Sequence, residues 1–218
     1  MSSKKLLGFW AFFDICLLAA GVIAVVFSII WKSPNNVLRH LVFTDTYVTA
    51  GLVLGSLLLF SFVVSLGAII QPNHVIRPLT ILNWFLILDM FAAVAVGTII
   101  WWATLKERQN FSIAFDAVTD QARLVIQNDL QCCGYWFNNE TNLIVNQGFC
   151  ATANNATPCV GPVTDFADVT LNDIFTSIYG FVAVIIGFFL ATLCVIKTRQ
   201  EVERFKRIDA KRGGRGFV

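Results

Sequence analysis

Four long apolar runs decide what this chain can fold into: residues 6–31, 46–70, 79–102 and 174–196. Each exceeds the roughly 20 residues needed to cross a hydrocarbon core about 30 Å thick. Only 14% of the 218 residues are charged, against about 25% in soluble domains, and 56% are hydrophobic, for a mean hydropathy of +0.69. The chain therefore belongs in lipid, and a large soluble domain is excluded. The pattern predicts an all-α integral membrane protein with four transmembrane helices. Around them lie a short N-terminus (1–5), a cysteine-free link (32–45), a turn holding Pro72 and Pro78 (71–78), a long polar segment (103–173) and a basic tail (197–218). The first run is too long for the apolar core of a signal peptide and no small-x-small cleavage pattern follows it, so it reads as a retained span.

The net charge of +2 says less than where the charges sit. Lys4, Lys5, Arg77 and the tail residues Lys197, Arg199, Arg204, Lys206, Arg207, Lys211, Arg212 and Arg215 all fall on one side of a four-span topology. The positive-inside rule makes that side the cytosol, with both termini in it and the plasma membrane as the expected location. Trp31, Trp101 and Trp102 then mark the outer interface, and 103–173 becomes a large extracellular loop. Glycosylation patterns begin at Asn110, Asn139 and Asn155, all within that loop. Asn110 lies close to the membrane and Pro158 follows the Asn155 pattern, which leaves Asn139 as the preferred acceptor.

Helices associate in lipid through small residues that let backbones approach. The second run carries Gly51 and Gly55, the fourth Ala183, Gly187 and Ala191 with Gly180 on a neighbouring line, the first Gly21, Ala24 and Ser28, and the third Ala93 and Gly97. Polar residues in these runs are more informative, because an ionised Asp at the bilayer centre costs about 2.5 to 3.5 kcal/mol. Asp14 and Asp89 both lie roughly 14 to 16 Å from the cytosolic ends of their helices. The spacing predicts that they face each other with at least one protonated, and that Asn83 is a polar neighbour about two turns below Asp89. Three roles fit: an interhelical clasp, the polar floor of a lipid or sterol cavity, or a proton relay.

Four of the six cysteines, Cys132, Cys133, Cys150 and Cys159, crowd into the polar segment. An even set there predicts two disulfides and an oxidising compartment. Zinc is the competing use, but adjacent Cys132 and Cys133 fit its usual paired spacing poorly. Phe111, Phe115, Val118, Ala122 and Val125 form one apolar stripe at helical spacing, so a single stalk helix is expected to run from the third span to near Cys132. Gly161 and Pro162 are expected to break the chain, and the capping-box-like pair Thr170 and Asp173 to start a return helix into the fourth span.

Four spans, a short first loop, a long second one and Cys132-Cys133-Gly134 closing a stalk helix resemble the tetraspanin family over essentially the whole chain. The resemblance places Asp14 where tetraspanins commonly carry a first-span Asn and Asp89 where they carry a third-span acid. It implies Cys132–Cys159 and Cys133–Cys150 pairing. The chain has Gly148-Phe149-Cys150 and Thr157-Pro158-Cys159 where the family often has Pro-x-x-Cys or Pro-x-Ser-Cys and Glu-Gly-Cys. It also lacks an acid or Gln in the fourth span and a cysteine in the 71–78 turn. The short two-disulfide loop resembles that of fungal tetraspanins, including the punchless type linked to host penetration.

The implied function is a membrane organiser that binds other integral membrane proteins laterally, tetraspanins among them. It would cluster them into microdomains as a homo- or hetero-oligomer. Recognition is assigned to the loop around Tyr135, Trp136, Phe137 and Phe149, with membrane lipid or sterol as a second partner class. Cys194, near the cytosolic face, fits either palmitoylation or a small buried hydrophobe, while Cys16 is read as buried. The basic tail is either solvated or in contact with anionic lipid through Val202, Phe205 and Ile208. Arg212-Gly-Gly-Arg215-Gly reads as a flexible end, with no nucleic-acid partner, and terminal Phe217-Val218 is a weak match to PDZ ligands. His40 and His74 are isolated, and no nucleophile–base pair, metal-ligand cluster or phosphate loop occurs, so neither enzyme activity nor a resident cofactor is expected. The alternative is a small four-helix channel, transporter or claudin-like junction protein.

Overall fold

The computed structural model describes residues 4–32, 45–71, 76–136, 147–152 and 157–211. In chain order the helices are α1 (Lys4–Trp31), α2 (Asp45–Ile70), α3 (Arg77–Leu105), α4 (Glu107–Ala117), α5 (Asp120–Leu130), α6 (Phe149–Thr152) and α7 (Val160–Lys211). The described residues contain no strand. Helices α1, α2, α3 and α7 are each long and apolar enough to cross a bilayer, which makes this a multi-pass membrane protein. An α-helix satisfies its backbone hydrogen bonds within itself, as a lipid environment requires.

The residues group into two compact units. The first comprises Met1–Val26, Leu52–Ala95 and Ile178–Val218, and the second Phe27–Gly51 and Val96–Ser177. In the first unit, α1 and α2 approach at their glycines. A Cβ on Gly55 would stand 2.8 Å from Val25 Cγ2 and 3.0 Å from the Val25 backbone nitrogen, and one on Gly21 would stand 3.3 Å from the Gly55 carbonyl oxygen. Helix α7 meets α1 differently. The Phe13 ring covers Gly187, and Trp10 Nε1 donates to Thr192 Oγ1 (3.2 Å), whose hydroxyl donates to Phe188 O. Of the small residues expected in the fourth span, Ala191 is buried, but Ala183 is exposed and Gly180 faces open space. Large side chains such as Phe12, Val63, Trp84 and Phe91 point outward, as lipid-facing residues do.

In the second unit, Gly51 lies against Ser28 on the α1–α2 seam. Its core is Phe111 and Phe115 from α4, Ile126 from α5, Tyr135, and Val163, Ala167 and Leu171 on one stripe of α7. Two expectations are corrected here. The stalk is two helices, because Val118 is extended and Thr119 caps α5, its hydroxyl oxygen accepting from Ala122 N–H (3.4 Å). The break shifts the register, so Ile126 is buried where the continuous stripe predicted Val125, which is 38% exposed. Nor does the chain break at Gly161-Pro162: α7 starts at Val160 and runs 52 residues unbroken. Proline is tolerated in a first helical turn, where backbone N–H groups have no intrahelical partner in any case. Thr170 is interior to this helix, its hydroxyl donating to Phe166 O.

Candidate functional site

Two arrangements stand out, one per unit. In the second unit, Arg123 fastens α5 to the end of α4. Its Nε donates to Phe115 O (3.0 Å), Nη2 to Asp116 O (2.7 Å) and Nη1 to Asp120 Oδ1 (3.0 Å). Phe115 O and Asp116 O are carbonyls that the last turn of α4 cannot satisfy internally, and the Asp120 carboxylate pairs with Arg123 within α5. Arg123→Met is therefore expected to lower the unfolding free energy of this unit by about 1.5 to 3 kcal/mol. Limited proteolysis at 103–173 should accelerate accordingly, and an unchanged digestion rate would count against the clamp.

Helix α5 ends where Gln131 adopts the left-handed conformation (φ 51°), its N–H returning to Gln127 O. Gly134 follows at φ 67°, a conformation that glycine enters without the cost a Cβ imposes. This turn lays the segment against the start of α7. Cys133 N–H donates to Thr157 O (3.0 Å), Cys159 N–H to Gly134 O (2.8 Å) and Val160 N–H to Tyr135 O (3.0 Å). Disulfides join Cys132 to Cys159 and Cys133 to Cys150, so these thiols are not zinc ligands. Cys150 is held on α6, where Phe149 N–H donates to Asn128 Oδ1 (2.7 Å).

Tyr135 was expected in a partner-binding surface and is instead core, 1% exposed, with its hydroxyl donating to Arg108 O (2.9 Å) and its ring against Phe115. The adjacent cystines and a hydrogen-bond acceptor on α4 make burial cheaper than exposure for that ring. Trp136 is 40% exposed, its indole N–H donating to Ser112 Oγ (3.0 Å), and Phe149 is half-buried. Asn110 is exposed on α4, but Phe111 of its pattern is buried and Ser112 bonds Trp136. Phe137, Asn139 and Asn155 lie outside the described residues.

In the first unit, Asp14, Asn83 and Asp89 are all buried. Sequence reasoning missed two residues on α2, Ser61 and Ser65, both fully buried and one turn apart. Ser65 lies beside Asp14 and Ser61 beside Asp89. None of the Ser61, Ser65 or Asp89 side-chain oxygens reaches hydrogen-bonding geometry, and neither do Asp14 Oδ1 and Asn83 Oδ1. The two carboxyls are therefore not hydrogen-bonded to each other, and each faces a serine of α2 instead. The signal available in the sequence was a Ser-x-x-x-Ser spacing on one face of the second span.

Because both Asp89 oxygens are buried without partners, removing the carboxyl relieves a cost of about 1 to 3 kcal/mol. Asp89→Val is expected to leave the thermal midpoint in detergent unchanged or higher, and a clear fall would show that the carboxyl holds helices together. Cys16 is half-buried and Cys194 is exposed on α7. Among the described residues no three His, Cys, Asp or Glu side chains gather closely enough to hold a metal ion.

Comparison with known protein families, with curated proteins and with solved structures found no match to this chain.

Proposed function

We propose that this chain is a tetraspanin-like membrane organiser, binding other integral membrane proteins side by side and clustering them. The observation that carries the reading is the segment between the third and fourth spans. There, the Cys132–Cys159 disulfide and the Cys132-Cys133-Gly134 turn fasten the end of α5 to the start of α7, and the Cys133–Cys150 disulfide ties the same turn to α6. Such a clamp fixes the base of a loop without supplying reactive chemistry. Specificity then belongs to what the clamp presents, beginning with the exposed ring of Trp136 and continuing into the residues that follow it. Tyr135 supports that surface from beneath.

In this reading the basic ends face the cytosol and the disulfide segment faces outside, in keeping with the distribution of Lys and Arg and with the oxidising conditions disulfides need. The plasma membrane is the natural location, Asn139 the acceptor for glycan and Cys194 the position for palmitate. The divergent spacing around Cys150 and Cys159 favours the fungal branch, with roles in morphogenesis or host penetration.

Affinity capture of the full chain from native membranes in mild detergent, followed by mass spectrometry, tests the proposal. Integral membrane proteins should be enriched by the native chain and lost on Trp136→Ala, while recovery of none above background would overturn it. The buried carboxyls of Asp14 and Asp89 favour a second reading, a small channel or transporter. Flux into reconstituted vesicles that disappears with Asp14→Asn and Asp89→Asn would select it.

A further inference from the structure

Beyond its apolar stretch α7 continues to Lys211. There, together with Ile76, it walls a groove of about 540 Å³ containing Arg204, Arg207, Ile208 and Lys211. The three cations recur at i, i+3 and i+7, which places them on one helix face. Against them, among the described residues, the groove holds a single carboxylate, Glu203, whose Oε2 lies 3.7 Å from Arg207 Nη2. Among the described residues Arg204 and Lys211 have no carboxylate partner. One turn before Glu203, Arg199 is 7% exposed, and its Nη1 has no hydrogen-bond partner. The same short stretch of helix thus carries a further uncompensated positive charge, and a buried unpaired charge is costly unless something anionic approaches it.

The depth of the groove identifies what approaches. Ile76 precedes by three residues the point where the third apolar run begins, so one wall lies at the level of lipid headgroups. Ile76 and Ile208 add apolar surface to a cationic face, a combination that suits a ring or glycerol carrying phosphates better than a bare ion. Arginine forks match phosphate oxygens two at a time, and lysine adds a point charge. A merely solvated tail has no reason to gather its cations along one walled face.

We infer that this groove binds the phosphorylated headgroup of an anionic membrane lipid, with Arg204, Arg207 and Lys211 holding its phosphate groups. The inference goes beyond the organiser reading and does not depend on it, since the groove would serve an organiser or a transporter equally.

The test uses the purified full-length protein in detergent and a fluorescent short-chain phosphatidylinositol bisphosphate, read by polarisation. Arg204→Gln with Lys211→Gln is expected to weaken binding about tenfold. Lys197→Gln with Lys206→Gln removes the same charge from positions that do not line the groove and is expected to weaken it less than about threefold. Equal losses in the two variants would mean diffuse attraction and overturn the site, as would a wild-type protein that fails to bind. Soluble inositol trisphosphate is the second arm. Competition by it as effective as that of unlabelled lipid would overturn the lipid as the source of the phosphate, and weak competition supports it. Phosphatidylserine that competes as well as the bisphosphate would overturn the requirement for phosphorylated headgroups.

Discussion

Cys132→Ser, and equally Cys159→Ser, is expected to unfold the segment between the third and fourth spans rather than loosen it. This bridge closes a separation of 27 residues and the Cys133–Cys150 bridge one of 17. Loop-closure entropy makes them worth about 3.5 and about 3 kcal/mol respectively. The larger difference is one of place. Cys132 and Cys159 are fully buried, and the Cys159 N–H bonds the Gly134 carbonyl, so the outer bridge joins the end of α5 to the first turn of α7 through the middle of the small core. Cys150 is 9% exposed on the four-residue helix α6. Segments this small build little core of their own and depend on such crosslinks. For the full chain in detergent, Cys132→Ser should give rapid proteolysis within 103–173 and maleimide labelling of the freed partner. Cys133→Ser should leave the α4, α5 and α7 contacts largely protected. The ordering is the decisive feature, and a more protease-sensitive Cys133→Ser chain would refute the outer bridge as the principal clamp.

How much of this was readable in the sequence differs between lipid and water. Span positions follow from a single quantity, the length of apolar sequence, and α1 and α2 begin and end within two residues of the runs at 6–31 and 46–70. The polar segment obeys subtler rules. The stripe from Phe111 to Val125 satisfies helical spacing throughout, yet Thr119 offers its side chain to Ala122 N–H and Arg123 offers two donors to the preceding helix end and a third to Asp120 on its own helix. Local capping wins over a continuous stripe there because a break restores the register that buries Ile126. At Gly161-Pro162 the opposite happened. Two residues that punctuate most chains sit in a helix's first turn, where their deficits cost little, and the packing of Val163, Ala167 and Leu171 carries the helix through. Ser61 and Ser65 escaped notice because serine is unremarkable in a span until something shows which way it faces. Tyr135 was misplaced because its burial depends on an acceptor 27 residues away, the Arg108 carbonyl, which no local pattern announces.

The close approach of α1 and α2 in the first unit supplies the other large effect. At Gly55 an added Cβ would meet Val25 Cγ2 at 2.8 Å, the Val25 backbone nitrogen at 3.0 Å and Ala24 Cβ at 3.1 Å. A methyl group encountering a flexible side chain can be accommodated, but one encountering backbone cannot, so α1 and α2 must separate. In lipid no hydrophobic drive holds them together afterwards, because the bilayer solvates the exposed faces as well as the partner helix did. Gly55→Ala is expected to cost about 1 to 2 kcal/mol and Gly55→Leu about 3 kcal/mol or more, the latter enough to abolish a folded population in detergent. Gly67, on the same helix, meets nothing within 4 Å. Gly67→Leu is therefore the matched control and should keep the wild-type thermal midpoint and elution position. If Gly55→Leu and Gly67→Leu behave alike, the glycine seam is not what packs these two spans, and the association must come from elsewhere along α1, where Leu17 is the most deeply buried apolar side chain.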